Sequence, residues 1–264
     1  MIEWQDSWYW PRGGSRTLHI YLPDWYYDSN ERLPVTYFFD GHNLFFDEHA
    51  TYGRSWRLSR FLDRWEKPMI VVGIECSHEG DARLDEYSPY RKRLLGHNVL
   101  GLGEDTFQWI IGDVKPSIDE QYRTWPHREA TGIAGSSMGG LMSLYGAICH
   151  NATFGKAAVL SAGLRFNRKE LLRDLNSATI SADTRVYLSW GECESGRIYR
   201  HKDGSFDPYL DSAEAHATNE LALALGGYGV ATMTYCQQNG RHREADWERQ
   251  IPLFMDFLWL DRRW

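Results

Sequence analysis

A serine between two glycines is the residue whose surroundings most directly indicate chemistry. Residues 131–140 read TGIAGSSMGG, so an apolar run leads into the pattern G-x-S-x-G and then into a helical pattern. A strand–turn–helix of this kind holds a serine on a strained turn with its hydroxyl exposed, and Gly135 and Gly139 let the strand and the helix approach each other. The register places Ser137 at the apex and Ser136 before it. The sequence therefore predicts Ser137 as a nucleophile.

A serine hydroxyl is a weak nucleophile at neutral pH, and it needs a histidine to accept its proton and a carboxylate to orient that histidine. In the chain order serine, acid, histidine, the base must follow Ser137. His150 ends the helix that begins at the serine, and His216 lies within a predicted helix. His242, in the loop QNGRHR after the last apolar strand, is the favoured base, and His201 is the alternative.

The acid is expected just beyond the predicted strand 186–190, because the carboxyl ends of parallel strands meet at one edge of a sheet. Glu192 and Glu194 both follow this strand and both qualify by position. The next loop contains three further alternatives: Asp203, Asp207 and Asp211.

The tetrahedral intermediate of acyl transfer needs two backbone N–H groups aimed at its oxygen. The amide of Met138, directly after the serine, is the first candidate. The second is the amide of His42, because Gly41 permits a sharp turn after the apolar strand that ends at Phe39. The alternative for Asp40 and Gly41 is a simple turn without a catalytic role.

The elements that must position these residues alternate between strands and helices along the chain. Seven short β-branched or aromatic runs are predicted strands: 17–22, 35–39, 69–74, 131–134, 157–160, 186–190 and 231–235. Five segments with helical periodicity lie between and after them: 55–65, 106–122, 138–150, 213–225 and 247–259. Several strands are apolar almost throughout, which indicates an α/β fold with a mostly parallel sheet covered on both faces.

The length and composition favour one domain over residues 1–264, with 42% hydrophobic and 25% charged residues. Neither a linker nor a repeat interrupts it. Two long irregular stretches, 76–103 and 191–211, are rich in glycine, charge and aromatic residues. Loops of this length commonly carry function.

Charge and hydropathy argue against two classes of partner. The formal charge is −7 and long runs of Lys and Arg are missing, which disfavours nucleic acid. A run of about 18 apolar residues, as a membrane span requires, is also missing from the sequence.

The predicted location is the cytoplasm. The start of the chain, MIEWQD, has acids and a tryptophan where a secretory leader needs a basic and then an apolar stretch. The four cysteines lack the spacing of a zinc site or a redox pair, and we interpret them as reduced thiols. A secreted protein whose leader has been removed would look similar.

Several segments together resemble the putative esterase family of α/β-hydrolases, which contains S-formylglutathione hydrolases, siderophore esterases, feruloyl and acetylxylan esterases and mycolyltransferases. The resemblance spans nearly the whole chain. It rests on these segments: 15–17 with 21–23, 39–45, 71–74, 85–89, 134–140, and 240–242 with Trp247.

The resemblance implies an α/β-hydrolase fold and hydrolysis of a carboxylic ester or thioester through an acyl-enzyme on Ser137, without a metal or an organic cofactor. His242 matches the family's base. A strand-end pattern of glycine, two residues and an acid favours Glu194 over Glu192, and the early oxyanion donor falls on His42.

One departure concerns the 48 positions between Glu194 and His242, a separation that is longer than in compact members. It suggests that residues 195–211 form a lid or the contact of a homo-oligomer. The resemblance also gives no clear role to segment 86–90.

The predicted substrate is a small-molecule ester with a small acyl or aryl group, such as an acetyl or hydroxycinnamoyl ester. An acyltransferase and a peptidase would share the same triad. From another class, a catalytically silent carbohydrate-binding module could use the tryptophan-rich surface, but it would have no physical need to keep Ser137, His242 and Glu194 together.

Overall fold

The computed structural model describes residues 1–94, 96–194 and 212–260. The segment 195–211, which we predict as a lid or an oligomer contact, lies outside these residues. The alternative base His201 and the alternative acids Asp203, Asp207 and Asp211 lie outside them as well.

An eight-stranded sheet forms the centre of the molecule. Its strands are β1 (Ile2–Tyr9), β2 (Ser15–Tyr21), β3 (Val35–Phe39), β4 (Ile70–Ile74), β7 (Thr131–Ser136), β8 (Lys156–Leu160), β9 (Arg185–Gly191) and β10 (Ala231–Gln237), and a separate hairpin contains β5 (Lys92–Leu94) and β6 (His97–Val99). The order across the sheet is β1-β2-β4-β3-β7-β8-β9-β10. The pairs β1–β2 and β2–β4 are antiparallel, and all other neighbours in this sheet are parallel.

The central strands are apolar because both of their faces are covered. Every residue of β3, β4, β7 and β8 is buried, whereas β1 at the edge of the sheet contains only half-buried and exposed residues. A strand covered on both faces cannot show the alternation of a half-exposed strand. The seven predicted strands are all present.

Helices cover both faces of the sheet. They are α1 (Leu58–Leu62), α2 (Ala82–Glu86), α3 (Gly103–Trp109), α4 (Lys115–Gln121), α5 (Met138–Cys149), α6 (Arg168–Ser177), α7 (Ala213–Gly226), α8 (Glu244–Glu248) and α9 (Ile251–Met255). One core cluster joins the sheet to α3–α7, and a second joins the opposite face to α1, α8 and α9. The prediction of a mostly parallel sheet with helices on both faces is confirmed.

Three predicted helices differ in extent from the observed ones. The helix predicted for 106–122 begins earlier, at α3, and passes through a π-helical turn at Ile110–Val114 into α4. The helix predicted for 55–65 is only the five residues of α1, because Arg57 just before it has a φ of 52° and the Ser55 hydroxyl instead binds Asp47. The helix predicted for 247–259 begins earlier, at α8, and continues as α9 and a π-helical turn at Asp256–Leu260. Pro252 stands in the first turn of α9, where its missing N–H costs nothing.

Within residues 1–94, 96–194 and 212–260, no helix combines the length and the apolar character needed to cross a bilayer.

Candidate active site

The turn at Ser137 connects the buried strand β7 directly to helix α5. Ser137 has φ 56° and ψ −126°, a conformation that L-residues rarely adopt, and its N–H donates to Leu160 O at 2.9 Å. This backbone is the strained turn that the G-x-S-x-G pattern predicts. It presents Ser137 and Met138 to a pocket of about 320 Å³.

Glycines on both sides of the serine are required by close packing. A Cβ on Gly135 would lie 2.6 Å from the backbone of Gly139, and a Cβ on Gly139 would lie 2.8 Å from Phe39 Cβ. The second contact also shows that α5 packs against the end of β3. The turn that follows β3 is therefore next to the nucleophile.

That turn is a short 3₁₀ helix, Gly41–Asn43, preceded by Asp40 in the left-handed conformation at φ 59°. A Cβ on Gly41 would lie 2.5 Å from the backbone carbon of Gly73 in β4, so only glycine permits this approach. The N–H groups in the first turn of a helix have no partner within the helix. The amide of His42 belongs to this class, as does that of Met138 at the start of α5.

Asp40 is held in place by a buried ion pair. Arg83 Nε and Nη2 donate to its two carboxylate oxygens, both at 2.7 Å, and the Asp40 amide donates to the Tyr87 hydroxyl at 3.2 Å. Burial raises the pKa of Asp40, but the charge and hydrogen bonds of Arg83 outweigh it and leave the pKa below its usual value. The carboxylate thus stays charged and ties α2 to the turn that carries His42.

The predicted base and acid come together from two loops. His242 Nδ1 lies 3.7 Å from Glu194 Oε2, and both side chains line the same pocket as Ser137. This separation is short enough for an ion pair but too long for a hydrogen bond. Among the described residues, Ser137 Oγ and the His242 ring share this pocket without a hydrogen bond between them.

The two candidate acids have different neighbours. Glu194 Oε1 accepts the Gly191 amide at 2.7 Å, which leaves Oε2 facing His242. Glu192 Oε2 instead accepts the amide of Asn239 at 2.6 Å and so braces the loop before His242. The geometry favours Glu194 as the partner of the histidine.

Close backbone contact fixes the two loops against each other. Cys193 N donates to Gly240 O at 2.8 Å, and a Cβ on Gly191 would lie 2.4 Å from the same oxygen. Trp247 packs edge-on against the His242 ring at 5.1 Å between centroids and donates from Nε1 to Ser161 Oγ at 2.9 Å. His242 is therefore supported by the loop after β8 as well as by the loop after β9.

Two of the other histidines after the serine are engaged elsewhere or point outward. His150 Nε2 pairs with Glu104 Oε2 at 3.1 Å, at the far end of α5, and His216 is exposed on α7.

The walls of the pocket come from segments that the sequence did not single out as site residues. Apolar and cationic side chains share the lining: Leu84, Leu94, Phe166, Arg83, His97 and Arg165. Four of these belong to the long stretch 76–103: Arg83, Leu84, Leu94 and His97. Residues 161–167 follow β8 at the same edge of the sheet as Ser137. This position could have identified them as site residues from the sequence alone.

A buried carboxylate shapes the wall formed by residues 161–167. Glu214, at the start of α7, accepts the amides of Leu164 at 2.6 Å and Arg165 at 3.3 Å. Burial raises the pKa of Glu214, although these hydrogen bonds oppose the shift. The contact places Arg165 and Phe166 at the mouth of the pocket.

The side chain of His42 extends away from this pocket. Its Nε2 lies 3.0 Å from Thr51 Oγ1, and its ring lines a second pocket. Burial lowers the pKa of His42 to about 4, so the imidazole is neutral at pH 7.

Comparisons with known proteins identify the family of the chain. The family model described as Putative esterase matches residues 12–253. The chain is 26% identical over 198 residues to the uncharacterized protein YbbA of Bacillus subtilis, which covers 72% of this chain and 74% of YbbA.

Two solved structures share the fold at low identity. An IroE-like serine hydrolase from Shewanella oneidensis has a TM-score of 0.71 at 19% identity, covering 97% of this chain and 81% of that one. The siderophore hydrolase EstA from Aspergillus nidulans has a TM-score of 0.71 at 15% identity, covering 99% and 95%. With the match of the family model, these findings show that the chain belongs to the putative esterase family and is a carboxylic ester hydrolase with the α/β-hydrolase fold.

Proposed function

We propose that the chain hydrolyses esters of small acyl or aryl acids through an acyl-enzyme on Ser137, with His242 as the base and Glu194 as its acidic partner. The observation that carries this proposal is one pocket of about 320 Å³ lined by Ser137, Met138, Glu194 and His242 together.

In the first half of the reaction, His242 accepts the proton of Ser137 while Oγ attacks the ester carbonyl carbon. The carbonyl oxygen becomes negatively charged and is held by the amides of Met138 and His42. The carbon–oxygen bond to the alcohol then breaks, and the alcohol leaves with the proton from His242. Ser137 keeps the acyl group.

In the second half, water replaces the alcohol. His242 accepts a proton from water, the resulting oxygen attacks the acyl-enzyme, and Ser137 leaves with the proton returned by His242. Glu194 stabilises the imidazolium in both halves. The 3.7 Å separation of Nδ1 and Oε2 needs to shorten by less than 1 Å to reach the ordinary range of a hydrogen bond at about 2.6–3.2 Å.

The lining of the pocket supports an aryl or short acyl group. Leu84, Leu94 and Phe166 offer apolar surface, and Arg83 and Arg165 place positive charge at its wall. Such a pocket fits a flat acyl group whose ring has phenolic or other electron-rich oxygens.

A panel of p-nitrophenyl esters from acetate to decanoate, together with methyl ferulate, tests the proposal. We expect turnover of the short esters and of methyl ferulate, a decline for the longest chains, and loss of all turnover in Ser137→Ala. Failure to hydrolyse any ester in the panel would contradict the proposal and favour an acyltransferase or a silent binding module.

A further inference from the structure

A second pocket, of about 350 Å³, lies beside the Gly41–Asn43 turn and is rich in histidine. Its lining comes from eight residues: Trp4, Asp6, Thr17, His19, His42, His49, Glu75 and His78. In the described part of the chain, these residues are separate from the lining of the active-site pocket. The esterase reaction proposed above uses the backbone amide of His42 but none of the side chains that line this second pocket.

Three of these side chains converge on one point. One ligand atom each from His42, Glu75 and His78 lies within 4.8 Å of the other two, and the rings of His42 and His78 meet edge-on at 4.6 Å between centroids. A tetrahedral Zn²⁺ with bonds of about 2.1 Å needs its ligand atoms about 3.4 Å apart. Glu75 is half-exposed and His78 is exposed, so both side chains have room to adjust toward that spacing.

Hydrogen bonds orient two of the three side chains as metal ligands. His42 is buried, Nε2 contacts Thr51 Oγ1 at 3.0 Å, and Nδ1 is without a hydrogen-bond partner in the described part of the chain. If Nε2–H donates to Thr51, Nδ1 carries the lone pair that a metal needs. His19 Nε2 lies 2.6 Å from Glu75 Oε1, which leaves Oε2 facing His78 at 3.4 Å. Partners behind the ligands, such as Thr51 and His19, are typical of metal sites.

A neighbouring cluster of Asp40, His42 and Cys76 also has ligand atoms within 4.8 Å, but it does not suit a metal. Both oxygens of Asp40 already bind Arg83, whose guanidinium would repel a cation. In the other cluster, Glu75 contacts His19 and His78 rather than an arginine, and both Glu75 and His78 are open to solvent.

We propose that His42, Glu75 and His78 bind a divalent transition-metal ion of the Zn²⁺ type, with His19 positioning Glu75 and the fourth coordination position open to the pocket. Two imidazoles and a carboxylate are the donor set that such ions take in proteins. The site is distinct from the Ser137 pocket, and its existence does not depend on the esterase mechanism.

The test uses the full chain with any affinity tag removed and with prior treatment by a chelator. Titration with Co²⁺ is followed by visible absorption, and Zn²⁺ retained after desalting is measured by inductively coupled plasma mass spectrometry. We expect one Zn²⁺ per chain and the intense visible bands of four-coordinate Co²⁺. His78→Ala and Glu75→Gln should each weaken Co²⁺ binding by at least about 10-fold.

His127→Ala is the matched control, because His127 is an exposed histidine whose Nδ1 pairs with Glu129 outside this pocket. It should bind Co²⁺ like the unchanged chain. His78 is 60% exposed, so its removal leaves the fold intact, and the isosteric Glu75→Gln provides a second check. Failure of the unchanged chain to retain Zn²⁺, or equal Co²⁺ affinity in His78→Ala and His127→Ala, would overturn the proposal.

Discussion

The turn that carries Ser137 and the loops that carry Glu194 and His242 face the same pocket, but they are held in place by different means. The serine turn is continuous with β7 and α5, and its backbone is locked by Gly135 and Gly139. Glu194 and His242 come from two loops, 48 positions apart in sequence, that meet through the backbone of Gly191 and Gly240.

The two regions should therefore differ in their sensitivity to mutation. The position of Ser137 is set by local structure, whereas that of His242 depends on how closely two separate loops approach each other. In the region formed by the two loops, His242 Nδ1 lies 3.7 Å from Glu194 Oε2, and the His242 side chain is 40% exposed. Changes at the turn should therefore abolish the chemistry, and changes at the loops should reduce it by degrees.

The largest effect is expected at the turn. Ser137→Ala removes the nucleophile, and turnover of p-nitrophenyl acetate should fall by about 10³- to 10⁶-fold with the fold intact by circular dichroism. Ser136→Ala, one position earlier, is the control and should keep most of the activity. Activity lost in Ser136→Ala but retained in Ser137→Ala would reverse the assignment.

The next largest effect is expected at the acid. Glu194→Gln removes the charge that stabilises the His242 imidazolium, and kcat should fall by about 10²- to 10⁴-fold with little change in KM. Glu192→Gln is matched in chemistry, and its side-chain oxygen can still accept the Asn239 amide. Its kcat should stay close to that of the unchanged chain, and an equal loss in both variants would contradict the choice of Glu194.

An intermediate effect is expected where the two loops touch. Gly191→Ala places a Cβ 2.4 Å from Gly240 O, which forces the loops apart and moves Glu194 away from His242. A displacement of about 1 Å at a catalytic group commonly costs on the order of 10²-fold in rate. Gly226→Ala, where a Cβ meets nothing within 4 Å, is the control and should leave kcat unchanged. Equal kcat in the two variants would show that the loop contact does not position the base.

The smallest effect is expected at Trp247, which packs against the His242 ring. Trp247→Phe keeps an aromatic ring beside His242 but removes the hydrogen bond to Ser161, which is worth about 1 kcal/mol. Thermal unfolding should shift down by about 2–4 °C, and kcat should change only a few-fold. Trp125→Phe, at a partly exposed ring, should leave the melting temperature unchanged. A large loss of kcat with an unchanged melting temperature would give Trp247 a direct catalytic role.

The sequence was most informative where structure is local. The turn that carries Ser137 was predictable because a strand, a strained serine and a helix follow one another within ten residues. The parallel strands were predictable because burial on both faces makes them apolar without alternation. The edge strand β1 was missed because its apolar residues are interleaved with Asp6, Gln5 and Glu3 on an exposed surface, and α6 was missed because charged residues dominate it.

Contacts between residues far apart in the chain could not be predicted from the sequence, because only the fold brings these residues together. Arg83 and Arg165 line the pocket because of where the fold places α2 and the loop after β8. His42 and His78 are 36 positions apart and converge because Gly41 contacts Gly73, which spacing along the chain does not reveal. Position alone left Glu192 and Glu194 equivalent. The family resemblance favoured Glu194, and the different hydrogen bonds of the two side chains in the folded loops favour it independently.

Stoichiometric labelling with a fluorophosphonate tests the central claim most directly, because this reagent reacts covalently with a serine that a base activates. Intact-mass spectrometry and peptide mapping should show one adduct per chain on Ser137, no adduct in Ser137→Ala, and much slower labelling in His242→Ala. An adduct on another residue, or labelling that proceeds at the same rate without His242, would contradict the account.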